Sequence, residues 1–176
     1  GKWLYLAGYY HNLNWGNVDW LNAVMRMPYD GSQPPTLWAG DLAQGKSSSE
    51  EGKFRMATSI ASDSSGRIYV SDYANDRIQV FNSEGKILKV IPCDKPAYVS
   101  VHQKTGDIFV FSFLIFESDH GFKQKEQPEV DATMSHLGPF ENPTLKSKCL
   151  LPLASYQKNI SWNVERGFQH IIEMDS

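Results

Sequence analysis

The chain has 176 residues, of which 41% are hydrophobic and 21% charged, and its formal net charge is -3. That length can bury one sizeable core, and the balance is ordinary for a globular protein. The acidic balance argues against a nucleic-acid surface, which would carry a basic stripe, and no apolar run approaches the roughly 20 residues of a membrane-spanning helix.

In chain order, Leu4-Tyr5-Leu6-Ala7-Gly8-Tyr9 reads as a strand with no lead-in. It sets position for position beside Ile68-Tyr69-Val70-Ser71-Asp72-Tyr73. An expanded loop, His11–Leu21, follows, with Trp15 and Trp20 in it. Val24–Met27, the turn Pro28-Tyr29-Asp30-Gly31, and Thr36–Ala39 complete the first unit. Residues 41–56 are polar and Ser-rich and read as a loop. Gly45-Lys46-Ser47 within it lacks the spacing and the strand-to-helix setting of a phosphate-binding loop.

Ala57–Ala61 is an innermost strand, closed by the turn Asp63-Ser64-Ser65-Gly66. Arg67–Ser71, Arg77–Phe81 and Lys86–Ile91 then form a β-meander. Its apolar residues alternate with period two, because successive strand side chains point to opposite faces. Ala74-Asn75-Asp76 and Ser83-Glu84-Gly85 supply the turn residues. Pro92–Pro96 connects to another innermost strand, Tyr98–Val101, and Lys104–Asp107 turns into Ile108–Phe113. Gly66 and Gly106 stand 40 residues apart. A period near 40 built of four short strands is the signature of a propeller blade.

Past Leu114 the regularity stops, and 117–148 reads as a polar insertion with three prolines. Cys149–Leu153 and Phe168–Ile172 are the last candidate strands, and Asn159-Ile160-Ser161 is a lone glycosylation sequon. Both ends look like cuts through a repeat array. The expected organisation is a blade over 1–40, a second over 57–91, and a third over 96–176 interrupted by 117–148. The two cysteines, Cys93 and Cys149, lack metal or redox spacing. They are expected as small buried hydrophobes, with one disulfide as the alternative.

Gly66-Arg67-Ile68-Tyr69-Val70-Ser71-Asp72, Asn75-Asp76-Arg77-Ile78-Gln79-Val80-Phe81 and Gly85 closely resemble an NHL repeat. The match is specific over Ala57–Ile91. It weakens over 1–40, where Gly8 stands in the Asp position. It also weakens over 96–113, where Ser112 does. The resemblance implies an all-β fold of four-stranded antiparallel meanders, here an incomplete part of a six-bladed propeller. Further repeats or another chain would complete the ring. It implies that Asp72 caps a turn and that Arg77 pairs with acidic or carbonyl groups. It also makes an extracellular or periplasmic location the expectation.

Catalytic spacing is absent from the sequence: there is no Gly-x-Ser-x-Gly elbow, and none of the five histidines stands in ligand spacing. Asp63, Asp72, Asp76 and Glu84 occupy turns, where capping accounts for them. The pair Trp15 and Trp20, with Asn14 and Asp19, forms a polar-aromatic contact candidate, although large aromatics more often pack inside. The expected function is therefore non-catalytic binding or scaffolding of a protein, peptide or glycan, without a cofactor. The alternative is a lyase, lactonase or esterase using Zn or Ca, with Asp119, His120 and His136 as candidate ligands.

Overall fold

The computed structural model describes residues 2–7, 22–43, 46–113 and 131–151. It is all β apart from one 3-10 turn at Tyr73–Asn75. The strands are β1 (Trp3–Ala7), β2 (Ala23–Pro28), β3 (Thr36–Gly40), β4 (Ala57–Ser62), β5 (Ile68–Asp72) and β6 (Arg77–Phe81). They continue as β7 (Ile87–Pro92), β8 (Pro96–Val101), β9 (Ile108–Ser112), β10 (Thr133–Leu137) and β11 (Leu145–Leu150).

These strands form three antiparallel sheets, each in sequential meander order: β1-β2-β3, β4-β5-β6-β7 and β8-β9-β10-β11. The inner strands β4 and β8 stand together, and β4 also packs against β1, as β8 does against β5. The architecture is an array of β-propeller blades, and the described residues do not close a ring. We call the three sheets the first, second and third blades.

The second blade is buried on both faces, which is why β5 has no exposed residue. Ile68, Val70 and Phe81 meet Val24, Tyr5, Ala7 and Trp38 of the first blade, with Phe54 filling the gap between them. Tyr69, Ile78, Val80 and Ile91 meet Val99, Val101, Ile108, Val110 and Leu137 of the third. Period two thus separates two contact faces of one strand rather than core from solvent. Burying each such aliphatic side chain stabilises the array by about 1.5–3 kcal/mol.

Polar clamps hold the blades in register. The Trp38 indole and the Arg26 guanidinium both donate to the Ser83 carbonyl, at 3.1 Å each, across the first joint. Across the second joint, Arg67 bridges Asp63 (2.6 Å) and Glu141 (2.7 Å) and lies over the Phe140 ring. Lys89 donates to the Phe140 carbonyl and also sits on that ring. Gly66 and Gly106 close equivalent turns at φ of 78° and 73°, a region that disfavours side chains with a Cβ.

The structure departs from the sequence expectations in two places. Strand β10 stands inside the stretch 117–148 read as an insertion, and β11 begins inside it and runs on into the start of the expected strand Cys149–Leu153. They escape a hydrophobic-alternation reading because the inward positions of β10 are mostly hydroxyls, Thr133 and Ser135, and because every residue of β11 is exposed. The cysteines are both free, and only Cys93 is partly buried, since Cys149 lies on that exposed edge strand. Phe168–Ile172 and the sequon at Asn159 lie outside the described residues.

Candidate binding surface at the blade ends

The end of the second blade where β5 leads into β6 is built around Asp72. Its side chain is fully buried. One carboxylate oxygen accepts the Arg55 backbone N–H at 2.8 Å. The other accepts the Asn75 amide (2.9 Å), Arg77 Nε (2.7 Å) and Gln79 Nε2 (3.2 Å). The 3-10 turn that follows ends on Asp76 in the left-handed region, φ 51°, which Asp tolerates better than most residues.

The same residues reach outward to the Ser-rich segment. Arg77 donates to the carbonyls of Ser49, Glu50 and Lys53. Gln79 donates to the Lys53 carbonyl and accepts the Gly52 N–H, and Asn75 donates to the Ser48 carbonyl. The loop between the first two blades is therefore pinned carbonyl by carbonyl, and its Phe54 is driven into the core. Arg77 plays the pairing role that the family resemblance implies, with the Asp72 carboxylate and three carbonyls, whereas Asp72 does not cap the turn that follows it: its carboxylate is taken up by the Arg55 N–H and by the side chains of Asn75, Arg77 and Gln79.

The third blade is built differently at this end. Strand register places Ser112 at the position of Asp72, Thr133 at that of Arg77 and Ser135 at that of Gln79. Three buried hydroxyls replace a carboxylate, a guanidinium and an amide. Hydroxyls have no reach, and the incoming connector here is short. Ser112 Oγ donates to the Asp94 carbonyl at 2.7 Å and fixes that connector directly. Above the hydroxyls lies an open cleft of about 440 Å³, lined by Asp94, Asp131, Lys148, Cys149, Ser112 and Thr133. Its charges, two carboxylates and one ammonium, suit a ligand that offers several hydrogen bonds and a positive group.

At the opposite end of the third blade, His136 lies on β10. Its Nε2 is 2.8 Å from Asp107, and its ring stacks on Phe109 at 4.6 Å. Lys146 donates to both oxygens of the same carboxylate, at 2.7 and 2.9 Å. The hydrogen bonds from Lys146 and then His136 hold the Asp107 carboxyl below the usual range. The ammonium already neutralises that carboxylate. Among the described residues, no three His, Cys, Asp or Glu side chains converge as a metal site. Asn14, Trp15, Asp19, Trp20, Asp119 and His120 lie outside the described residues. Sequence reasoning missed Asp94, Asp131 and Lys148. The available signal was the Ser at position 112, where the repeat carries Asp.

Turn chemistry accounts for the other acidic residues. Asp63 accepts the Ser65 and Arg67 N–H groups, Arg67 Nε and the Tyr69 hydroxyl. Asp76 accepts both the backbone N–H and the ammonium of Lys95. Asn82, rather than Glu84, caps its turn by accepting the Glu84 and Lys86 N–H groups.

No curated protein sequence matches the chain. Among solved structures, the fold is similar to Kuenenia stuttgartiensis hydrazine synthase at 10% identity and a TM-score of 0.38, covering 73% of this chain. The chain spans 43% of the length of that protein. The family model of the NHL repeat matches residues 54–81, which run from Phe54 of the pinned loop to the end of β6. This chain carries an NHL repeat, and the sheet grown from that repeat is the middle blade of its propeller array.

Proposed function

We propose that this chain is a non-catalytic binding and scaffolding array that presents its blade ends to a protein or peptide partner, with glycans as a second ligand class. One contrast supports the reading. The polar groups at the end of the second blade are satisfied internally, whereas the third blade leaves Asp94, Asp131 and Lys148 around an open cleft. A peptide carrying a Lys or Arg fits two carboxylates at the rim, and its backbone fits the hydroxyls and Lys148. The loop residues Asn14, Trp15, Asp19 and Trp20 remain separate binding candidates, of side-chain types that make large contact areas.

A peptide array spanning basic, neutral and acidic sequences, with a glycan array alongside, tests this. Basic peptides are expected to bind, and the double change Asp94→Asn with Asp131→Asn is expected to weaken them by about tenfold. Binding that is absent, or indifferent to that change, sinks the assignment of the cleft. Stoichiometric Zn or Ca uptake accompanied by lactone or ester turnover would instead favour the metal-dependent enzyme reading.

A further inference from the structure

Strand register makes the ends of the second and third blades comparable residue by residue. The pair Asp72–Arg77 corresponds to Ser112–Thr133, and the pair Ala57–Asp72 to Pro96–Ser112. Two residues before these strands, Arg55 corresponds to Asp94 and Asn75 to Asp131. The end of the third blade has therefore lost a guanidinium and gained two carboxylates. In the second blade Arg77 fills the space beyond its strand: Nε lies 2.7 Å from Asp72, and the terminal nitrogens reach the carbonyls of Ser49, Glu50 and Lys53. Thr133 ends at its γ atoms, and beyond it lies the cleft of about 440 Å³. Thr133 is 5% exposed and lines that cleft, and among the described residues its hydroxyl has no hydrogen-bond partner. The side chains of Asp94 and Asp131 are exposed and likewise unpaired among the described residues. The Ser112 hydroxyl donates to the Asp94 carbonyl, which leaves its lone pairs free to accept.

We infer that the third blade takes an arginine from its ligand, and that this guanidinium occupies in trans the place that Arg77 holds in cis. The inference rests on the peptide-binding reading of the cleft and narrows it to one side chain. A guanidinium presents its N–H donors in a planar fork. The fork meets one rim carboxylate with two parallel bonds and keeps donors for the hydroxyl oxygens of Thr133 and Ser112. A lysine ammonium is a point charge and cannot form the two parallel bonds. Thr133 is then the specificity-determining residue: its shortness leaves the room, and its unpartnered oxygen accepts a donor that the fork delivers. Lys148, on the edge strand of the cleft, repels the guanidinium and favours a carbonyl of the same peptide, which fixes the peptide's direction.

Fluorescence anisotropy of labelled glycine–serine pentapeptides on the whole chain tests this, with arginine, lysine or citrulline at the central position. The arginine peptide is expected to bind about tenfold tighter than the lysine peptide. The citrulline peptide, planar but uncharged, is expected to show no binding. Thr133→Val keeps the shape and removes the hydroxyl, and is expected to shrink the arginine preference several-fold. Thr133→Arg supplies the guanidinium from the chain itself and is expected to abolish binding of the arginine peptide, with circular dichroism checking the fold. If that variant does not fold, the arginine-to-lysine ratio on wild type and its change in Thr133→Val still decide. Equal affinity for the arginine and lysine peptides, both weakened by Asp94→Asn with Asp131→Asn, overturns the inference and leaves the peptide reading of the cleft standing. Binding of none of the peptides overturns both. An arginine preference that Thr133→Val leaves unchanged, or full binding by folded Thr133→Arg, also overturns the inference, because the guanidinium would then sit elsewhere.

Discussion

Asp72 is the residue on which the second blade can be tested most sharply. Its carboxylate is fully buried and accepts four hydrogen bonds, three of them on one oxygen. Asp72→Ala leaves the Arg77 charge with its side chain only 12% exposed, and leaves the Arg55 N–H without its acceptor. Breaking a buried ion pair costs about 3–5 kcal/mol, because an uncompensated charge stays behind. Arg77 keeps three carbonyl acceptors, which places the expected loss near the lower end, about 3 kcal/mol. In urea, at an m-value of about 2 kcal/mol/M, the midpoint falls by about 1.5 M. The isosteric Asp72→Asn is expected to be nearly as damaging. An amide can offer its oxygen to Arg55 or to the other three donors, and its NH2 then opposes whichever side is left. Glu141→Ala is the control, because that carboxylate is 68% exposed and its pair with Arg67 is worth about 1 kcal/mol or less. If Asp72→Ala shifts the midpoint no more than Glu141→Ala does, the network does not hold the loop and the account of this blade is wrong.

Three further outcomes are expected. Gly40→Ala should prevent folding or destabilise by several kcal/mol, since Gly40 has φ 84° and a Cβ there would come 2.1 Å from the Asn22 carbonyl oxygen; expression yield and thermal melts read this. Burial pushes the Asp63 carboxyl up, but hydrogen bonds from Arg67 and Tyr69 outweigh it and hold the group below the usual range. A carboxyl depressed in the folded state contributes stability above its unfolded pKa and loses it as pH falls through the folded value. Wild-type stability should therefore fall from about pH 5 downward, and Asp63→Asn should flatten that slope in urea titrations at each pH. Burial pushes the Cys93 thiol up to about 11, so iodoacetamide at pH 8 should label exposed Cys149 first in dilute protein, with Cys93 reacting only on unfolding. Equal labelling rates would contradict this, and mass spectrometry separates the two sites.

Where each position of a strand bears an apolar or consensus residue, the fold is legible in the sequence. The meander from β5 to β7 falls within a residue or two of its expected bounds, because Ile68, Val70, Ile78 and Val80 alternate and Gly66 and Gly85 punctuate. The third and fourth strands of the last blade are not legible. β10 spends its inward positions on Thr133 and Ser135, and β11 is an exposed edge strand whose Lys146 and Lys148 read as loop. A composition rule sees polarity there, while the structure buries the hydroxyls of Thr133 and Ser135. The candidate cleft has the same cause: it exists because short side chains stand where the repeat usually has long charged ones, and a substitution to something smaller leaves little trace in a single sequence.

That substitution and the connector lengths belong together. A long polar segment carries more backbone groups than its own turns can satisfy, so it needs partners from the blade it crosses. The second blade supplies Asn75, Arg77 and Gln79, which together engage the carbonyls of Ser48, Ser49, Glu50 and Lys53 and the N–H of Gly52. The third blade receives only the short turn through Asp94, and one hydroxyl from Ser112 suffices. Long consensus side chains at these positions thus mark a blade end sealed by its own connector, and short ones mark a blade end left open. On this chain the distinction separates the second blade, which is occupied with holding itself together, from the third, whose rim carboxylates remain available to a ligand.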